Sequence, residues 1–314
     1  MGAIFKTIDQ EVKFFYPQTR VVIVAIALTL SLVPLPNLLI QILSGLIILS
    51  IGLMHGATDH LLFMNANGLK TRNSIPRAFF IKYIATLAFM AVFWWLSPLF
   101  AMIGFILVSS YHFGQTQWQY LPITEKSILK KALYLSWGVI VLGGIVILNP
   151  EESNELINSV LPFNYDVSSL LWIIYLNGAV LVVLLVSIGK RVRLVTLLFE
   201  LIELGVILFF SLKGDLLLAF ALFFGLWHSL RASEVQVDKL KEDQSFTWRD
   251  FIVGSLPFSL ISILGIALLL FLAQRLNQQI APQMLFLIAV SVLTMPHMII
   301  YEEFYNKHDK SLDN

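Results

Sequence analysis

Residues 21–64 read VVIVAIALTLSLVPLPNLLIQILSGLIILSIGLMHGATDHLLFM, and Asp59 is the one Asp, Glu, Lys or Arg residue in that stretch. A run of roughly 17–25 apolar residues is long enough to cross the hydrocarbon core of a bilayer as a helix. Pro34 and Pro36 divide this stretch, because proline lacks the backbone donor that a helix interior needs. The stretch therefore predicts two transmembrane helices joined by a tight turn.

The whole chain has the same apolar character. Of its 314 residues, 58% are hydrophobic and 13% are charged, whereas ordinary globular proteins have about 25% charged residues. A formal net charge of +1 argues against nucleic acid as a partner. The chain has no cysteine, so a metal ion would have to be held by histidine or carboxylate side chains. Composition predicts an all-α, polytopic membrane protein, with residues 1–314 forming a single transmembrane helical domain.

Ten apolar segments follow one another along the chain. The predicted spans are 21–36, 38–64, 78–96, 98–118, 131–149, 168–189, 193–212, 214–231, 251–274 and 283–304. If the N-terminus is cytoplasmic, the inner segments and the adjoining helix ends hold 19 of the 21 Lys and Arg residues. Cytoplasmic loops of membrane proteins carry such an excess of Lys and Arg. We therefore expect ten helices, both termini in the cytoplasm, and a solvated connection with a short amphipathic helix at 232–250.

Five histidines lie within these spans, and ionisable groups inside a bilayer are functional candidates because they are costly to bury. Four of them occupy the second, fourth, eighth and tenth spans, which all run in the same direction: His55, His112, His228 and His297. The last three lie about 14 residues from the outer ends of their helices, which corresponds to roughly 20 Å. The sequence thus predicts that these histidines reach a similar depth in the cytoplasmic half of the membrane.

Four histidines on four helices suit a metal centre, since neutral imidazole binds Fe, Zn, Cu and Ni. Such a site would leave a coordination position for dioxygen or water. Asp59 follows His55 by four residues, and Arg231 follows His228 by three, so each pair is predicted to share a helix face. The polar residues predicted to hydrogen-bond the outer ring nitrogens are Asp59, Tyr111, Gln115, Arg231, Glu302 and Glu303.

His60 is a different case, because it lies five residues after His55 and therefore about 140° around the helix. Unless Gly56 distorts the helix, we expect His60 to be a hydrogen-bonded or interfacial side chain. Several aromatic residues lie within two turns of the histidines and could line a channel for an elongated apolar substrate, although most such residues are core or interfacial. They are Tyr111, Phe113, Trp118, Trp227 and Tyr301.

Two other classes of protein fit these residues. A bis-histidine haem b protein needs facing histidines and no cysteine. A proton-coupled transporter could use Asp59 and the histidines as a relay, with helices broken at Gly56, Gly114 and Pro296. A membrane di-iron oxygenase is disfavoured, because such enzymes use about eight histidines in close clusters.

Four motifs carry a resemblance to a known family. HGATDH (55–60), YHFGQTQW (111–118), WHSLR (227–231) and PHMIIYE (296–302) resemble segments of the Brp/Blh family of β-carotene 15,15′-dioxygenases, in this order and over most of the chain. The first two motifs are the more specific. Some family members have a second histidine four residues after the one in WHSLR, and this chain has Ala232 there.

The resemblance implies an iron-dependent dioxygenase of the inner cell membrane. Such an enzyme uses O2 to split β-carotene at its central double bond into two molecules of all-trans-retinal, and the retinal would supply a microbial rhodopsin. The implied Fe(2+) ligands are His55, His112, His228 and, because Ala232 cannot serve, His297. Membrane lipid would deliver the insoluble substrate sideways between helices. The alternative is a metal-free membrane protein that binds a carotenoid or retinoid, or that couples transport to protons.

Overall fold

The computed structural model describes residues 17–70, 74–161, 163–243, 245–275 and 282–310, and the regular structure in these ranges is helical. The first five helices are Pro17–Leu32 (α1), Asn37–Ala66 (α2), Arg77–Leu96 (α3), Pro98–Trp118 (α4) and Ile128–Ile147 (α5). The remainder are Pro150–Asn158 (α6), Leu171–Ile188 (α7), Leu194–Lys213 (α8), 216–243 (α9), Trp248–Arg275 (α10) and Pro282–Lys310 (α11).

The membrane character predicted from composition is confirmed. Within the described ranges, nine helices are long and apolar enough to cross a membrane. The predicted first span, 21–36, overlaps α1, whose 16 residues begin and end four residues earlier, so the count of ten spans stays a prediction. Large apolar side chains such as Trp95 and Val186 are 81% and 75% exposed. Exposure of apolar side chains on this scale suits a surface that faces lipid.

Two of the long helices are not regular throughout. Helix α2 contains a π-helical segment at Ile48–Gly52, continues as Leu53–Gly56, and resumes at Asp59 after a turn. Helix α9 contains a π-helical segment at Leu222–Ser229. Single turns of π-helix are rare and are often found at functional sites. Both irregular stretches lie at or next to a predicted ligand, His55 in α2 and His228 in α9.

The polar insert at 232–250 is only partly the solvated connection that its composition predicts. Residues Leu230–Asp243 form the last segment of α9 as an amphipathic helix. One face of this segment is buried, including Ala232, Gln236 and Leu240. The prediction of an amphipathic helix is thus confirmed, but its inner face belongs to the packed protein.

By its internal contacts the chain divides into two compact units. Unit 1 comprises Met1–Gly45, Ser110–Pro150 and Val167–His228, and unit 2 comprises Leu46–Ser109, Glu151–Asp166 and Ser229–Asn314. Helices α2, α4 and α9 therefore contribute residues to both units.

Unit 1 is held together by close backbone packing and by buried polar groups. A Cβ atom at Gly114 of α4 would overlap with the backbone of Tyr134 in α5, so only glycine allows this approach. Near the same end of α4, Gln117 donates to Glu200 of α8, and Arg20 of α1 forms an ion pair with Glu203 at 3.1 Å. These contacts fix α1, α4, α5 and α8 as neighbours within unit 1.

Unit 2 has an apolar core rich in methionine and aromatic side chains. Its buried members are Met90, Trp94, Ala101, Met102, Phe105, Leu161, Met284 and Met298. They come from α3, α4 and α11 and from the loop that follows α6. Trp94 also donates to the hydroxyl of Ser291 at 2.6 Å, which satisfies its indole N–H inside the core. Helix α11, which carries His297, is therefore anchored along its length.

Candidate metal centre

His55 lies at the end of the short helical segment Leu53–Gly56, between the π-helical segment and the turn of α2. His297 directly follows Pro296, a proline inside α11 that removes one backbone hydrogen bond from that helix. The two side chains are 2% and 4% exposed. Their Nε2 atoms are 2.9 Å apart, and the rings meet edge to face with centroids 4.4 Å apart. Unit 2 thus brings together two of the four predicted ligands.

Asp59 orients this histidine pair. Its Oδ1 atom lies 2.5 Å from Nδ1 of His297. The spacing predicted Asp59 on the same face as His55, but the turn at 57–58 interrupts the helix between them, and the carboxyl group faces α11. A carboxylate on the outer nitrogen of a histidine is the usual partner of a metal-binding imidazole, because it fixes the tautomer and the ring orientation.

The geometry of the pair fits a metal ion. When Nδ1 of His297 donates its proton to Asp59, Nε2 is left with a lone pair that points to Nε2 of His55. Nε2 of His55 either donates its own hydrogen to that lone pair or, with its hydrogen on Nδ1, directs a second lone pair to the same point, where a metal ion would bind both nitrogens. Two nitrogens bound side by side to one metal at about 2.1 Å would be roughly 3.0 Å apart.

Unit 1 brings the other two predicted ligands together. His112 of α4 and His228 of the π-helical segment in α9 have ring centroids 4.9 Å apart, and both are buried. Their surroundings are aromatic. Phe113 contacts His228 with a centroid distance of 4.5 Å, and Phe224 lies nearly parallel to His228 at 5.9 Å. These rings hold His228 by shape and keep the pair in apolar surroundings.

Two further residues of the predicted site, Tyr301 and His60, lie in unit 2. Tyr301 joins the unit 2 pair, with its ring 5.9 Å from that of His55 and its hydroxyl donating to Tyr305. His60 packs on Phe258 with a centroid distance of 4.8 Å.

Other predicted residues pack elsewhere within their own units. Trp118 packs against Trp137, Trp227 against Phe210, and Tyr111 against Tyr134. Gln115 is buried and Arg231 is half-buried. Glu302 accepts from Asn306, and Glu303 pairs with Lys82.

Three residues at these sites escaped the sequence reasoning. Thr58 and Gln236, which form a hydrogen bond in unit 2, are both completely buried. Tyr134 supplies the backbone that excludes a side chain at position 114. Thr58 could have been noticed inside the HGATDH motif, as a hydroxyl residue next to an expected ligand. Nothing in the sequence distinguishes Gln236 from the other polar residues of the 232–250 insert.

Fold and site together define a polytopic helical membrane protein with two buried pairs of histidines, one of them oriented by a carboxylate. The family model for beta-carotene 15,15'-dioxygenase matches residues 46–305, and the chain belongs to this family. A curated relative from an uncultured marine bacterium, 66A03, carries the same name. It is 24% identical over 272 residues, which cover 85% of this chain and 94% of the relative. No solved structure matches the chain significantly.

Proposed function

We propose that this protein is an iron-dependent dioxygenase of the cell membrane that cleaves β-carotene at the 15,15′ double bond to two molecules of all-trans-retinal. The observation that carries the proposal is the hydrogen-bonded series Asp59–His297–His55 in a chain of this family. A structural histidine needs one hydrogen-bond partner, whereas this arrangement directs two ring nitrogens at one point and fixes one of them from behind with a carboxylate.

The ligands we propose for the iron are His55, His112, His228 and His297. All four side chains are buried, and each is paired with another within its own unit. His297 serves as the fourth ligand, since position 232 is alanine and completely buried. An all-imidazole set brings no negative charge and suits iron among other metals.

The reaction balances without an external reductant. The double bond between C15 and C15′ breaks, and each of the two carbons receives one atom of O2, which gives two aldehydes. Iron, when bound, would supply the redox chemistry that activates dioxygen for this addition. Because no electrons or protons enter from outside, the protein needs neither a reductase partner nor a proton channel for the overall conversion.

The polypeptide orients the proposed metal ligands and excludes water from them. Asp59 accepts the proton of Nδ1 of His297 and thereby keeps the lone pair of Nε2 available to a metal ion. Phe113 and Phe224 pack around His228 and keep water away from unit 1's pair. Tyr301, beside the other pair, is completely buried and packs its ring against those of His55 and His297.

The solubility and length of the substrate explain why such an enzyme is embedded in a membrane. β-Carotene is insoluble in water and comparable in length to the thickness of a bilayer, so we propose that it enters sideways from lipid. Both termini are proposed to be cytoplasmic, on the basis of the distribution of Lys and Arg. Retinal would leave through the same lipid phase and bind to a microbial rhodopsin.

The test uses protein purified in detergent, ferrous iron and β-carotene in air. We expect about one iron per chain and retinal as the sole product, and in a parallel reaction under 18O2 in place of air we expect one 18O atom in each aldehyde. His55→Ala and His112→Ala should abolish retinal formation while the protein stays folded, because each removes a ligand from the metal.

His60→Ala is the matched control, since His60 packs on Phe258 outside both pairs. This variant should retain iron and product formation. Wild-type protein without metal and without product would reject the dioxygenase and favour a protein that binds or transports a carotenoid or retinoid. Longer apocarotenals would keep the oxygenase but place the cut elsewhere.

A further inference from the structure

The turn in α2 places a buried hydroxyl group between His55 and Asp59. Thr58 is completely buried, and its Oγ1 atom lies 2.9 Å from the carbonyl oxygen of His55. Its single proton is shared between that carbonyl oxygen and Oε1 of Gln236, which lies 3.2 Å from Oγ1. Both contacts lie within unit 2. They connect the last segment of α9 to the backbone that carries the histidine.

Gln236 is an unusual residue for its position. Its side chain is completely buried, and in the part of the chain that the structure describes its Nε2 atom has no hydrogen-bond partner. Burying an amide with one unsatisfied end is unfavourable, and an apolar residue of similar size would avoid that cost. An apolar residue could not supply the acceptor atom Oε1, which lies 3.2 Å from the hydroxyl of Thr58.

The position of the His55 ring depends on this backbone. The imidazole is connected to the chain at residue 55, three residues before Thr58, and the helical hydrogen-bond pattern is interrupted at residues 57–58. Without a continuous helix, the hydroxyl of Thr58 helps to fix the peptide of His55. Because ligand geometry must hold within about 0.5 Å, a loosened turn would misplace Nε2 of His55 and the carboxyl group of Asp59 together.

We propose that Gln236 is a positioning residue for the metal site, which acts through Thr58 on His55 and Asp59. This inference rests on the proposed metal-dependent function. Gln236 touches neither the metal nor the substrate. Its effect on the reaction is indirect, through the rigidity of the turn at 57–58.

Three variants test the proposal: Gln236→Met, which keeps the length of the side chain, Thr58→Val, which keeps its shape, and the double variant. Ferrous iron affinity is measured anaerobically by competition with a chelator. We expect each single variant to bind iron about 10–100-fold more weakly, as is typical for the loss of an outer-shell partner. The double variant should be no weaker than the singles, because both remove the same link.

The control is Ser233→Ala on the same segment of α9. Ser233 is also buried and donates to the backbone of Ser229 at 2.8 Å, so its loss removes one hydrogen bond without touching Thr58. This variant should have a thermal midpoint similar to that of Gln236→Met but wild-type affinity for iron. A merely structural role for Gln236 would give the two variants the same affinity.

A second measurement does not depend on the metal. In metal-free protein, amide hydrogen exchange across residues 53–62 should be faster in Gln236→Met and Thr58→Val than in wild type. If the wild type binds no iron, the proposed function fails, and exchange still decides the link between Gln236 and Thr58. Wild-type iron affinity in Thr58→Val, or effects that add in the double variant, would overturn the positioning role. Thr58→Val alone decides the matter if Gln236→Met does not fold.

Discussion

The two histidine pairs are held in different ways. In unit 2, His297 is fixed by the carboxyl group of Asp59 and faces His55 across 2.9 Å. In unit 1, His228 is fixed by the rings of Phe113 and Phe224. One pair is oriented by directional hydrogen bonds and the other by packing. The difference predicts that polar substitutions should affect the first pair, whereas changes of shape should affect the second.

The packing of unit 1 depends most strongly on Gly114. A Cβ atom there would overlap with the carbonyl group and Cα of Tyr134, so the backbones of α4 and α5 would have to move apart. We expect Gly114→Ala to destabilise the protein by about 3 kcal/mol or more. Thermal unfolding and size-exclusion chromatography in detergent should show a large fall in the midpoint and in the yield of monodisperse protein.

Gly205→Ala is the matched control for this substitution, since Gly205 lies in the interior of α8 with open space around its Cβ position. Alanine there should be neutral or slightly stabilising, because it favours the helix by up to about 1 kcal/mol. A Gly114→Ala protein with the wild-type midpoint would mean that α4 and α5 are not in contact at this point. The view that packing holds the histidine pair of unit 1 would then fail.

The hydrogen-bonded pair is tested by Asp59→Asn. The amide oxygen can still accept from Nδ1 of His297, but the negative charge that strengthens the bond is lost. We expect the affinity for ferrous iron to fall about 10–100-fold, with a smaller effect on folding than that of Gly114→Ala. Metal content after dialysis and chelator competition are the measurements.

Glu303→Gln provides the control for charge, because Glu303 lies on the same helix as His297 and pairs with Lys82 at the surface. An exposed pair of this kind contributes at most about 1 kcal/mol. The iron affinity of Glu303→Gln should match that of the wild type. Equal losses in the two variants would show that Asp59 acts through general charge and not through its bond to His297.

The sequence was sufficient for the parts of this molecule that follow from composition and spacing. Apolar length located the long helices, and 98–118 was predicted with the ends that the structure has, because Pro98 begins a helix well. The pattern of histidines selected side chains that are all buried and that form pairs inside their units. These features depend on local sequence and on the cost of burying polar groups.

Other features depend on contacts distant in the chain and could not be predicted. Asp59 was expected near His55 from the helical repeat, but the turn at 57–58 directs it to His297, 238 residues away. The reason for glycine at 114 is the backbone of Tyr134, which no motif reveals. Gln236 lies in a polar segment that composition alone places in solvent. In each case the partner is defined by packing between helices.

Gly56 tests whether packing also matters for the histidine pair of unit 2. It lies in a motif with two histidines, yet its surroundings differ from those of Gly114. Its added Cβ would lie 3.8 Å from Cγ of His297, an ordinary contact with a side chain and not a clash with backbone. It also lies in a helical segment, and Gly68 is the one described glycine with positive φ. We therefore expect Gly56→Ala to fold with a midpoint close to the wild type and to keep its iron affinity within about twofold, since no bond in the Asp59–His297–His55 series changes. A large loss of iron with unchanged folding would show that the His297 ring moves against Gly56 when the metal binds, which would make shape as important in unit 2 as it is in unit 1.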